Sequence, residues 1–158
     1  MYTLQALFLV FNPIELSTSY AAFVLLLGLS GFYIFASANN QKDRFRSDPE
    51  ALIWGKKPTS ISCEYTTQDG ALRKTQLLTS GWWGISRHMN YTGDLILSLA
   101  YSLACGTGHF YPYFYFFFLS ALLIHRCLRD EARCRMKYGA AWLTYCRQVP
   151  SRLLPQLW

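Results

Sequence analysis

Apolar positions in this chain fall into long unbroken blocks separated by short, strongly polar ones. Leu16 to Gln41 carries no formal charge, and Leu95 to Ile124 carries none apart from the titratable His109. Crossing bilayer hydrocarbon takes about 20 apolar residues, and both blocks reach that length. In the first block Ser17-Thr18-Ser19 offers a helix cap, and Tyr20–Ala38 is the clearest span. Tyr20 stands at one interface and Tyr33 near the other, as an aromatic belt requires. Gly28 and Gly31 form a narrow patch that admits a second helix. Nothing breaks Asn39 to Arg46 before Pro49, so the helix is predicted to run on past the hydrocarbon. Lys42 and Arg46, four apart, then share a face, while Arg44 points elsewhere.

The second block contains its own breaker, Gly106-Thr107-Gly108-His109, and Pro112 is tolerated in a first helical turn. One helix over the whole block would measure about 45 Å, more than a bilayer needs, so two segments are expected. Before the first block, Tyr2–Phe11 is apolar and ends at Asn12-Pro13. It reads as a partial helix, the end of a span cut short, and so as the C-terminal part of something longer.

Between the blocks, Asp48 to Asp69 is predicted to be loop, punctuated by Pro49, Gly55 and Pro58 and followed by Gly70. Ser60–Thr67 alternates weakly, and Asp69-Gly70 is a turn signal, which together allow a small hairpin. Leu77 to Tyr91 is too polar for lipid and too aromatic for a free loop. Its Gly81-Trp82-Trp83-Gly84 and Arg87-His88-Met89-Asn90-Tyr91 read either as interfacial anchoring or as the lining of a pocket for a flat, charged ligand. Asp94 is expected at or near the N-terminus of the following helix. The tail from Val149 to Trp158 holds two prolines and is expected to lie against the membrane or the protein surface.

Composition supports the membrane reading. Charged residues make up 15 % of the chain and apolar ones 52 %, where a soluble domain carries about a quarter charged. The net charge of +6 reports mainly which side the loops face. Lys42, Arg44, Arg46, Lys56, Lys57 and Arg126 to Lys137 are assigned to the cytoplasmic side. Because these residues flank spans and no nucleic-acid-binding module is apparent, nucleic acid is excluded as a partner. The 5 cysteines fit neither a bridging framework nor zinc spacing, so they are read as free thiols facing a reducing compartment, and no metal site is expected.

The densest polar feature is the run from His125 to Gly139. Helical spacing sets Arg126, Asp130, Arg133 and Lys137 on one side, and cations this close repel unless Asp130, Glu131 or an anionic ligand offsets them. Arginine forks match phosphates and carboxylates. The inferred ligand is a polyanion with a planar part, phosphates meeting the arginines and rings meeting Trp83, Tyr91, Tyr138 or Tyr145. A nicotinamide dinucleotide phosphate, a nucleotide-bearing methyl donor and a lipid headgroup all fit. Charge that merely flanks a span is the alternative, and it requires neither Asp130 nor the embedded aromatics. Gly106-Thr107-Gly108 is not a dinucleotide fingerprint, since the remaining glycine and the preceding soluble strand are missing. A membrane reductase also needs a proton donor and a dry cavity. His109 and Tyr111 are the candidate acids in the spans, and a structural hydrogen bond is the simpler role for each.

Leu123-Ile124-His125-Arg126-Cys127-Leu128-Arg129-Asp130, continuing through Cys134 to Lys137-Tyr138-Gly139, resembles the C-terminal signature of the membrane sterol reductases that act on the C14 or C7 double bond. Asn40-Gln41-Lys42-Asp43-Arg44-Phe45-Arg46, Leu52 to Pro58, Cys63-Glu64-Tyr65 with Asp69-Gly70, Ser80 to Gly84, Arg87 to Tyr91, Leu103 to Gly106 with His109, and Pro150 to Trp158 resemble the C7 branch most closely. The resemblance covers the chain. It departs at Asn40, where histidine is expected, and in a segment one residue short after Arg46.

The resemblance implies an all-α, polytopic transmembrane bundle, of which this chain is the last third of a roughly ten-helix fold. Residues 1–46 would be transmembrane helices with a cytosolic extension, 47–76 a cytosolic loop, 77–125 pocket-lining and transmembrane segments, and 126–158 a cytosolic cofactor-binding tail. It implies NADPH as cofactor. Lys42 and Arg46 would contact its phosphate end, Leu78, Trp83, Asn90 and Tyr91 would line its middle, and Asp130, Cys134, Lys137, Tyr138 and Tyr145 would complete the pocket. The implied reaction reduces the C7–C8 double bond of 7-dehydrocholesterol to give cholesterol, in the endoplasmic reticulum membrane. The implied partners are the sterol, membrane lipids and other sterol-biosynthesis membrane proteins. The absent helices would supply part of the sterol cavity and the proton donor, so this chain alone is expected to be inactive. An isoprenylcysteine-type methyltransferase and a non-catalytic reductase-like scaffold are the competing readings.

Overall fold

A computed structural model describes residues 3–67 and 69–155. Six α-helices, a two-stranded sheet and a short 3-10 turn follow in the order α1 (Thr3–Phe11), α2 (Thr18–Ser47), β1 (Ser60–Thr66), β2 (Leu72–Leu78), α3 (Trp82–Ile85), α4 (Met89–Leu103), the turn Tyr111–Tyr113, α5 (Phe114–Tyr138) and α6 (Ala140–Gln148). Helix dominates, but the chain is not wholly α. The β1–β2 hairpin turns at Asp69-Gly70 and pairs Ser60 with Leu78 through Thr66 with Leu72. The final three residues of the tail reading lie outside the described residues, as do Met1 and Tyr2.

Local chemistry sets the helix ends. The Tyr20 amide donates to Ser17 Oγ at 3.4 Å, which satisfies one orphan donor at the start of α2. With no proline or glycine after Gly31, α2 then runs unbroken through the polar Asn39–Arg46 stretch and stops before Pro49. Among the described residues α2 is the one helix long and apolar enough to cross a membrane, and only 17 % of its apolar window is buried. A core helix of a soluble protein would be mostly covered, whereas α2 exposes Leu25, Leu26, Leu29 and Phe32. The second apolar block divides as expected at Gly106. Its first helix, α4, begins earlier than the apolar pattern does, at Met89, so Asp94 lies inside the helix rather than at its start. Its second helix, α5, carries the aromatic segment and the whole basic run on one continuous rod. At 15 residues α4 is short for a full span.

The contacts divide the chain into two units, each drawn from two stretches. The first takes Met1–Ala36 with Asn90–Ile124, and the second Ser37–Met89 with His125–Trp158.

In the first unit α2 and α4 touch backbone to backbone. A Cβ on Gly31 would lie 2.7 Å from the Leu97 amide nitrogen, and one on Gly93 would lie 2.5 Å from the Phe35 nitrogen. Both positions therefore need glycine for close approach, as small-residue helix contacts in membranes do. Gly31 was legible as such a position, and its counterpart Gly93 was not. Several polar groups in this apolar unit are satisfied internally. The Pro112 carbonyl accepts from Gln5 Nε2 at 3.3 Å and from Ser102 Oγ at 3.1 Å, and Tyr20 Oη donates to the Leu103 carbonyl at 3.1 Å. Gly93→Val is expected to separate the two helices and cost about 1–3 kcal/mol or more. Thermal unfolding in detergent checks this, with Gly108→Ala as control, because nothing lies within 4 Å of a Cβ there.

In the second unit, Phe45, Ile53, Leu78 and Trp83 form one buried cluster, with Trp82 packed on it. Trp142, Tyr145 and Val149 form another, against which Ile61, Leu77, Cys134, Tyr138 and Cys146 pack. The hairpin thus lies over α6.

Candidate cofactor site

The polar end of α2 supplies the first wall. Phe45 enters the buried cluster, and Lys42, three residues earlier on the same helical face, is carried to the Trp83 ring. Lys42 Nζ sits 4.0 Å from that ring's centroid. Trp83 is held on two sides. Its Nε1 donates to the Ala38 carbonyl at 2.8 Å, and its carbonyl accepts from Tyr145 Oη at 3.1 Å. The indole is therefore a fixed platform, and the cation rests on its negative face. Lys42 makes no ion pair among the described residues. Burial, and then the neighbouring Arg46, push its ammonium pKa below the ordinary lysine value. Cys134, Asp43 and Asp130 act on it electrostatically in the opposite sense.

Asp130, Cys134, Lys137 and Tyr138 recur at helical spacing along α5 and form the second wall. Gly139, at φ 51°, then ends α5 and lets α6 turn back. That return brings Tyr145 to Trp83. Tyr145 is buried, and burial holds its phenol well above the ordinary range, so it remains a protonated donor. Its ring lies 5.1 Å from that of Trp142. Lys137 Nζ lies 3.9 Å from the Tyr65 ring centroid and 5.2 Å from that of Tyr138.

The expected site residues are thus brought together in part. Lys42, Leu78, Trp83, Cys134, Lys137, Tyr138 and Tyr145 connect through these contacts, and Asp130 belongs to the same second unit. Arg46 belongs to it as well, but it lines a cleft of about 700 Å³ with Phe45, Pro49, Ser62, Cys63, Glu64 and Lys74 to Gln76. Asn90 and Tyr91 stand in the first turn of α4, in the other unit. His109 and Tyr111 also belong to that other unit and are exposed.

Spacing alone did not separate Asp130 from its neighbour Glu131. Glu131 Oε1 accepts from Arg87 Nη2 at 2.6 Å and Nε at 2.9 Å, while its Oε2 pairs with Arg152 Nε at 3.0 Å. Arg87, 5 % exposed at its side chain, also donates through Nη1 to the Val149 and Pro150 carbonyls. The Arg87 and His88 amides bond to the Ser151 and Arg152 carbonyls. Arg87 therefore fastens the tail to α5. The only sequence signal was an arginine beside two indoles, which is ambiguous. By contrast the Arg126–Asp130 pair is long, at 3.9 Å, and half exposed.

His88, Cys127 and Glu131 bring ligand-type atoms within 4.8 Å of one another. Their chemistry does not suit a cation. Glu131 already faces two guanidinium groups, and burial pushes the Cys127 thiol up to about 11, away from the thiolate a cation would need, although burial holds His88 down to about 4, in the neutral form that can ligate. The cluster is part of the Arg87–Glu131 anchor.

A family model described as the ergosterol biosynthesis ERG4/ERG24 family matches residues 1–158. The 7-dehydrocholesterol reductases of Danio rerio and Xenopus laevis are each 58 % identical over 158 residues, covering 99 % of this chain and 33 % of theirs. The mouse Delta(14)-sterol reductase TM7SF2 is 46 % identical over 160 residues, 35 % of its length. The chain spans about a third of the length of the curated relatives it matches. A match of this extent places the chain in the ergosterol biosynthesis ERG4/ERG24 family.

Proposed function

We propose that this chain carries the NADPH-binding part of a membrane reductase that saturates the C7–C8 double bond of 7-dehydrocholesterol to give cholesterol. The observation that supports this most is Lys42, a half-buried ammonium that makes no ion pair among the described residues, held on the face of Trp83. Burying a lone cation is costly unless an anion joins it. A dinucleotide phosphate brings that anion together with flat rings, which Trp83, Tyr138 and Tyr145 suit. The donor set therefore fits the cofactor. NADPH, when bound, supplies the hydride. Lys42 and Arg46 would hold its phosphates, Trp83 and Leu78 would give it an apolar bed, and Asp130 with the Tyr145 phenol would orient that bed. The protein's place would be the endoplasmic reticulum membrane, spanned more than once, beside lipids, its sterol and other sterol-biosynthesis membrane proteins.

The test is a titration of the 158-residue chain in lipid nanodiscs with NADPH and, separately, with S-adenosylmethionine. Saturable binding of NADPH alone is expected. Binding of the methyl donor alone would favour the methyltransferase reading, and binding of neither would favour a scaffold. The same preparation is expected to leave 7-dehydrocholesterol unreduced. Neither candidate acid, His109 nor Tyr111, belongs to the unit that holds Lys42 and Trp83.

A further inference from the structure

We propose that Tyr65, on the hairpin, is a positioning residue of the cofactor site, acting through Lys137. This rests on the NADPH reading above. Ile61, Cys63 and Tyr65 alternate onto one face of β1. That face is anchored where Ile61 packs with Trp142, Tyr145 and Val149, and where Cys63 is buried. Tyr65, at the far end of the same face, meets Tyr138 edge-on, with centroids 5.8 Å apart and planes at 90°.

The Lys137 ammonium rests over the Tyr65 ring at 3.9 Å, closer than its 5.2 Å to Tyr138 on its own helix. Lys137 is exposed, and no carboxylate pairs with it among the described residues. A lysine head on a four-carbon stem otherwise samples many rotamers. Two neutral rings fix its place without cancelling its charge, so the whole charge remains to meet a phosphate. Tyr65 need not touch the ligand. It reduces the ordering cost that Lys137 would otherwise meet on binding.

NADPH dissociation constants of the chain in nanodiscs test this. Tyr65→Ala is expected to weaken binding about fivefold, the scale of a partly exposed cation–π contact. Tyr65→Phe, which keeps the ring, should bind within about twofold of the parent. Lys137→Ala should weaken binding on its own, and Tyr65→Ala added to it should cost nothing further. Unchanged binding by Tyr65→Ala overturns the proposal, as do independent, multiplying effects of the two substitutions. Equal loss in Tyr65→Phe and Tyr65→Ala overturns it as well, because the ring would then not be the active feature. A parent chain that binds no NADPH overturns the pocket reading itself, a different result from a parent that binds while Tyr65→Ala matches it.

Discussion

Glu131→Ala should destabilise the second unit by about 3–5 kcal/mol, the cost of leaving a buried charge without its partner. The stranded group is Arg87, with a side chain only 5 % exposed, whose Nε and Nη2 both reach Glu131. Its bonds to the Val149 and Pro150 carbonyls remain, but they are neutral acceptors and do not neutralise a guanidinium. Arg152 is less affected, being 38 % exposed and able to turn to water. The tail from Val149 to Leu153 should loosen along with the pair, since the Arg87 and His88 amides and Ser86 Oγ tie it to the same place. Thermal unfolding in detergent measures the first effect, and the rate of proteolytic cleavage after Arg152 measures the second. The double substitution Arg87→Met with Glu131→Leu should be milder than Glu131→Ala, because it removes both charges and keeps the volume. Arg126→Ala is the surface comparison, expected within about 0.5 kcal/mol, since that pair is exposed and long. If Glu131→Ala and Arg126→Ala cost the same, the anchor is misassigned.

Lys42→Met should lower NADPH affinity by at least about tenfold while leaving stability within about 1 kcal/mol. The two readouts diverge for one reason. In the ligand-free fold the ammonium is a burden, with its charged form opposed by burial and by Arg46 and relieved by the Trp83 face and by the Asp43 and Asp130 carboxylates. Methionine keeps the stem against Trp83 and removes that burden. In the bound state the same ammonium would meet a phosphate in a poorly solvated place, where a charge-assisted hydrogen bond is strong. Isothermal titration with NADPH, beside a melting curve, separates the effects. A variant that binds as the parent does removes Lys42 from the site. A variant that loses stability and binding in parallel shows a packing role instead. Because bound phosphate favours the ammonium, binding by the parent should take up protons at pH values near the depressed Lys42 pKa, and Lys42→Met should not.

The primary pattern made several elements legible. The apolar block of α2, its cap at Ser17 and its run past the hydrocarbon follow from uninterrupted composition and local hydrogen bonding. The break at Gly106 and the turn at Asp69-Gly70 follow from residues whose backbone preferences act over a few positions. The meeting of Lys42 with Trp83, and of Trp83 with Tyr145, lies among residues that the family resemblance had singled out. Other features were not legible. Asp130 and Glu131 are adjacent carboxylates in one basic helix, and no period distinguishes them. One pairs with the exposed Arg126 on its own helix, whereas the other is closed off by Arg87, 44 residues away in sequence. Gly93 looked like an ordinary helical residue until the α2 backbone lay against it. Tyr65 read as one weak alternation in a hairpin, and its partner Lys137 lies on a different element.

What the sequence determined by itself was therefore α2 with its cap and its polar extension, the break at Gly106, the turn at Asp69-Gly70 and the family to which the chain belongs, because these depend on interactions between near neighbours or on the order of residues alone. The tertiary structure decided which charges are spent on the fold and which stay available. Burial and pairing are properties of groups brought together from distant stretches, and the cost of desolvating a charge is fixed only when its final neighbours are in place.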